Sequence, residues 1–221
     1  YDKDASMQYL RDVYNSVLLK DVVQRNNIRD VELLERMILY LLDNGGHSFS
    51  ARSISKYLKQ ENRKVSSETI LNYIKACCDA YLFIKLRRED IQGKKILSAN
   101  EKYYSVDHGL RESILGTNTR NIDQVLENIV CMELLRRGYT VTIGKNGEKE
   151  IDFIASKNKD KLYIQVTYLL AGAETIEREF GIYDSVRDHY PKYVLSLDEF
   201  DMSRDGIKHL NIREFLLSKE L

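Results

Sequence analysis

Two hydrophobic periods divide this chain, and the switch between them most constrains its fold. Up to about residue 81 apolar side chains recur at helical spacing, whereas from about residue 139 they alternate in short β-branched runs. A chain ordered this way builds a helical N-terminal part and a sheet-containing C-terminal part, α+β or α/β in class. One proline in 221 residues leaves little room for extended linkers. No run approaches the roughly 18 consecutive apolar residues of a membrane-spanning helix. The chain opens Tyr1-Asp2-Lys3-Asp4, with no initiator Met and no basic-then-apolar leader, and reads as a fragment of a longer cytoplasmic protein.

Charge gives no global signal for a polyanionic partner, because 34 basic residues cancel 34 acidic ones. Residues 1–29 carry 5 basic against 4 acidic side chains, 30–110 carry 13 against 11, and 111–221 carry 16 against 19. A nucleic-acid contact would have to come from local patches. Cys77, Cys78 and Cys131 and the four scattered histidines lack zinc-ligand spacing, so the thiols read as reduced and buried.

Residues 5–25 place Met7, Leu10, Val13, Tyr14, Val17, Leu18 and Val22 on one stripe of a long helix. Asp30 caps the next helix, which stops at Gly45-Gly46. A short helix follows with Ile54, Tyr57 and Leu58 inward. Beyond Asn62-Arg63-Lys64, the stretch Val65-Ser66-Ser67 caps a third helix, and two β-segments flank the turn at Gln92-Gly93-Lys94-Lys95. Three helices and a β-hairpin are the order of a winged helix-turn-helix. Its third helix would bury Ile70, Ile74, Cys77 and Tyr81 and turn Thr69, Asn72, Tyr73 and Ala76 outward, where a recognition helix meets base edges. Arg87, Arg88, Lys94 and Lys95 on the hairpin would hold phosphates.

From residue 120 the order becomes helix, three strands, helix, strand and a closing element. The first helix, with Asp123 as its expected N-cap, carries Glu127 on a stripe with Val130, Cys131 and Leu134. The strands are 139–143, 150–155 and 161–170, and the second helix is expected over 174–190. If 157–160 form the turn, Ser156 pairs with Lys161 and, four residues further along each strand, Asp152 falls opposite Gln165. Asp152, Gln165 and Thr167 would then form a polar group on an apolar hairpin.

An acid on the first helix and another on the second strand resemble the PD-(D/E)XK nuclease fold. The whole chain, through YLRDVYNSVLLKDVVQRNNIRD, LENIVCMELLRRGY, EIDFIA and YIQVTYLL, resembles the C-terminal region of prokaryotic AAA-type ATPases. In those proteins a winged helix and a restriction-endonuclease-like αβββαβ domain follow the nucleotide-binding module. The resemblance implies a connecting helix over 1–29, a winged helix over 30–110 and the nuclease-like domain over 111–221. It also implies a magnesium site of Glu127, Asp152 and Gln165, with Thr167 where the family has its lysine. Gln165 replaces an acid, so the site's charge falls from about −3 to −2, and Thr167 cannot place a cation beside the scissile phosphate. ATP would bind the missing ATPase module, since no phosphate-loop motif lies in this chain. The expected function is a DNA-associated accessory region with a degenerate nuclease site. The alternatives are an active magnesium-dependent nuclease and a protein-interaction module of the ATPase.

Overall fold

A computed structural model of the chain describes residues 2–60, 65–93, 95–116 and 121–219. The chain divides into two compact units, one of residues 1–85 and 100–120, the other of 86–99 and 121–221. These divisions differ from those at 29 and 110, for a physical reason given below. No helix among the described residues is long and apolar enough to cross a membrane.

The first unit is mainly helical. Helix α1 (Lys3–Ser16) starts where the Asp2 carboxylate accepts the Asp4 and Ala5 N–H groups, and it runs straight into a π-helical stretch, Val17–Gln24. Only Leu18 and Val22 of the expected stripe are fully buried, while Met7, Leu10, Val13, Tyr14 and Val17 are half-buried. Helices α2 (Val31–Asp43), α3 (Ala51–Gln60) and α4 (Ser67–Asp79) follow. Asp30 and Ser66 cap α2 and α4, each taking the N–H three residues on at 3.0 Å. Leu34, Ile38, Ile54, Leu58, Ile70 and Ile74 fill the core as the periodicity requires; the Tyr57 side chain lies outside the described residues, as does the turn at 62–64.

Two details of α4 differ from expectation. Tyr81 is exposed, because the helix closes with Leu82 N–H on the Cys77 carbonyl and Tyr81 in the left-handed region at φ 57°. That is a Schellman closure, which turns the residue out of the helical stripe. Ala76, expected on the outer face, is buried at 3% exposure.

Strands β1 (Phe83–Asp90) and β2 (Lys95–Ser105) form the hairpin, and α5 (His108–Leu115) closes the first unit. The base of the hairpin stays in that unit, but its outer part, Leu86–Ala99, belongs to the second. The cause is pairing: β1 runs parallel to β3 (Thr140–Asn146), matching Arg88 with Ile143 and Asp90 with Lys145. Leu86 is buried there as well. Strand β1 of the hairpin is thus also a strand of that sheet.

The second unit contains α6 (Ile122–Arg136), β4 (Lys149–Lys157), β5 (Asp160–Val166), α7 (Ala173–Gly181), β6 (Lys192–Ser196), β7 (Lys208–Asn211) and α8 (Ile212–Leu217). The mixed sheet has the order β2-β1-β3-β4-β5-β6-β7, with β3, β4 and β5 antiparallel and β5, β6 and β7 parallel. The order helix, three strands, helix, strand is present, with β7 and α8 as its closing elements.

Helix α7 stops nine residues short of the expected end. Glu179, Phe180, Gly181, Ile182 and Tyr183 are all buried, and five consecutive buried residues cannot lie on one helical stripe. The chain unwinds, and the Tyr183 hydroxyl donates to the Tyr193 carbonyl at 2.8 Å.

His209 on β7 is buried at 5% exposure, its Nδ1 accepting the Met202 N–H at 3.3 Å. Its Nε2 therefore carries the proton and donates to Ser196 Oγ (2.8 Å), which donates in turn to Asp198 at 2.7 Å. Burial holds the imidazole below its ordinary value of 6.5, against the pull of Asp198 and Asp201. The unfolded chain therefore takes up this proton first. The stabilisation is complete above about pH 6.5 and declines as the pH falls below it. Denaturant titrations at pH 7.5 and 5.5 are expected to show the wild type weakening on acidification more than His209→Gln does; equal pH dependence of the two would contradict the neutral assignment.

Candidate functional site

The β4–β5 hairpin turns at Asn158, whose φ of 58° supplies the left-handed residue a two-residue turn needs. Ser156 pairs with Lys161 and Phe153 with Ile164, the anticipated register, which when continued puts Asp152 opposite Gln165. Between Thr142↔Ile154 and Gly144↔Ile151, β4 carries one more residue than β3. Such a bulge bends the strand at Asp152-Phe153 and re-aims its side chains. Here side chains complete the pairing. The Asp152 N–H donates to Gln165 Oε1 at 3.2 Å, and the Val166 N–H donates to Asp152 Oδ2 at 2.8 Å.

Asp152 is buried at 7% exposure, Gln165 is half-buried, and Thr167 is buried with its N–H on the Leu195 carbonyl at 3.0 Å. Glu127 lies half-buried in the second turn of α6. One turn before it, Asp123 is not the N-cap expected of it. Asn121 holds that position, and Asp123 accepts the Tyr168 N–H at 2.7 Å beyond the end of β5.

Helix α7 adds residues that the sequence reading missed. Arg178 holds Glu179 Oε1 with two N–H groups, at 2.9 and 2.7 Å. That bond, chiefly, and then the fields of Asp123 and Asp152 hold the guanidinium in its charged form. Glu179 is 3% exposed and its Oε2 has no hydrogen-bond partner. Burial first, then the carboxylates of Asp152 and Glu179, push the Tyr183 phenol well above its ordinary value. In the sequence, Glu179 looks like any acid of the polar run Glu174–Glu179; the apolar string after it was the available signal.

Two of the three expected magnesium donors already hold backbone groups. The Gln165 oxygen already accepts one N–H, Asp152 Oδ2 accepts another, and Thr167 is sealed from solvent. Among the described residues, no three His, Cys, Asp or Glu side chains meet with metal-holding geometry.

The expected nucleic-acid residues fall into both units. In the first, Thr69 is tied to Ser66 Oγ at 2.9 Å, Asn72 is exposed and Tyr73 is half-buried. Asn72 and Tyr73 line a cleft of about 500 Å³ with Lys75, Asn26, Asn27 and Arg29, the last three from the turn before α2. In the second unit, Arg87 is exposed, whereas Arg88 is half-buried and paired with Glu150. Lys94 lies outside the described residues, and so does the side chain of Lys95.

Residues 1–121 match the family described as "Domain of unknown function (DUF8612)". The chain belongs to that family. It is 36% identical over 217 residues to an uncharacterized protein of Haemophilus influenzae, covering 98% of this chain and 54% of that protein. It is 30% identical over 188 residues to the uncharacterized protein MJ1544 of Methanocaldococcus jannaschii, covering 83% of this chain and 41% of that one. The chain thus spans about half the length of the curated relatives it matches. No solved structure matches it.

Proposed function

We propose that this member of the DUF8612 family is the DNA-associated accessory region of an AAA-type ATPase, joining a winged helix-turn-helix to a nuclease-like unit that no longer hydrolyses phosphodiesters. The observation that carries the reading is the Asp152–Gln165 pair. An acid and an amide at the positions of the nuclease motif satisfy each other's strands, so they act as a clamp on the bulged hairpin. With Thr167 buried and neutral, no lysine at that position reaches a scissile phosphate.

The DNA-facing part of the reading rests on the cleft beside α4, which Asn72, Lys75 and Arg29 line together with Asp79, the ion-pair partner of Lys75. Asn is suited to an adenine edge, and the two cations to phosphates. The greater length of the relatives leaves room for the ATPase module, with ATP bound there.

A band-shift titration against duplex DNA tests the reading. With about two phosphate contacts, affinity should fall about tenfold between 50 and 200 mM salt, and Arg29→Ala should lower the salt slope by about one. Failure to form a complex at 50 mM would remove the DNA assignment. DNA cleavage in magnesium or manganese that disappears in Asp152→Asn would remove the silent-site assignment.

A further inference from the structure

The most exposed large apolar side chains among the described residues are Leu217, at 85%, and Phe200, at 82%. Both belong to the second unit, and their surroundings carry opposite charge.

Leu217, at the end of α8, lines a cavity of about 680 Å³ with Tyr139, Arg136, Arg137, Lys157 and Lys219. Arg136, Lys157 and Lys219 are exposed, and among the described residues the lining has no acid. Nearby Glu133 is buried and held between Arg136 and Arg137. Phe200 stands on the loop after β6 between Glu199 and Asp201, both exposed.

That loop is braced on both sides. Asp198 accepts the Leu170 N–H and the Ser196 hydroxyl at 2.7 Å each, and the Asn211 amide donates to the Asp198 carbonyl at 3.0 Å. Met202 N–H is on His209, and Asp201 takes both the N–H and the hydroxyl of Ser203, which keep its carboxyl below the usual range. An aromatic side chain presented on a loop already ordered loses little further entropy on binding.

The two surfaces cannot meet within one copy. Lys157 pairs with Asp160 at the start of β5, whereas Phe200 lies beyond the end of β6, which runs parallel to β5. The seven residues of β5 alone separate those sheet ends by about 20 Å. The Phe200 loop of one copy therefore does not reach the Lys157 side of its own cavity.

We propose that copies of this chain associate head to tail, Phe200 of one entering the cavity at Leu217 and Tyr139 of the next while Glu199 and Asp201 meet Arg136, Lys157 and Lys219. The occupant is this chain's own loop because it combines the features the cavity calls for: one bulky apolar group with an acid on either side. A nucleic-acid backbone supplies the charge but nothing for Leu217. The contact is heterologous, so it generates rings or open chains and not a two-fold dimer. A single loop in one cavity makes a small interface, and the association is weak and concentration-dependent. The inference does not depend on the DNA reading.

Sedimentation velocity on the whole chain over a concentration series, at low and high salt, tests it. The wild type should grow beyond a monomer with concentration and revert in high salt. Phe200→Ala and Leu217→Glu, both changes at solvent-exposed positions, should each weaken association by about thirtyfold, the loss expected of a central anchor. Mixing the two variants should restore a dimer and nothing larger, since Leu217→Glu keeps the loop and Phe200→Ala keeps the cavity. A wild type that stays monomeric at every concentration, or a mixture that forms no dimer, overturns the proposal.

Discussion

Replacement of Asp152 by alanine is expected to destabilise the second unit by about 2–3 kcal/mol, the cost of stripping a charged acceptor from a buried backbone donor. The orphaned donor is the Val166 N–H, in a residue only 4% exposed, and Gln165 would face a strand that no longer holds its place. Asp152→Asn should recover most of the loss, because an amide oxygen can still accept from Val166. Urea titrations of the two variants check this. The contrast separates a clamp from a catalytic acid, for which the alanine variant costs activity and little stability. Equal stability of Asp152→Ala and the wild type would show that the carboxylate does not hold the hairpin.

A larger effect is expected at Arg137. Its side chain is 9% exposed, lies 4.6 Å over the Phe215 ring, and donates to Glu133 at 2.6 Å and to the Phe215 and Ser218 carbonyls. Arg137→Ala removes the tie between α6 and α8 and leaves Glu133 with Arg136 alone, on a side chain 70% exposed. Breaking a buried pair of this kind costs about 3–5 kcal/mol. The double variant Glu133→Gln/Arg137→Ala should be less destabilised than the sum of the two single changes, since no buried charge is then left half-paired. Strict additivity in the denaturation series would contradict the coupling.

Much of this geometry was legible in the sequence. The pairing of Ser156 with Lys161, and with it the approach of Asp152 to Gln165, follows from alternation and a short turn, both local properties. Helices α2 and α4 begin where Asp30 and Ser66 cap them, for the same reason. What the sequence concealed depends on distant partners. The bulge at Asp152-Phe153 is set by the register against β3, not by any residue in β4 that marks it. Likewise, Arg87 and Arg88 look like a solvated basic tip until β3 pairs beside them and Glu150 takes up Arg88. Tyr81 continues a helical stripe on paper, yet backbone closure on Cys77 turns it outward. Glu179 was indistinguishable from its exposed neighbours because burial by Phe180 and Tyr183 is a property of the folded chain.

The β1–β2 hairpin roots in one unit and ends in the sheet of the other, so spatial and sequential modularity do not coincide in this protein. A single cut near residue 120 would strip β3 of its parallel neighbour and leave a bare row of donors and acceptors, a template for stray strand pairing. Recombination at that point would therefore scramble the sheet, and inheritance should favour keeping the residues on the two sides of 120 together.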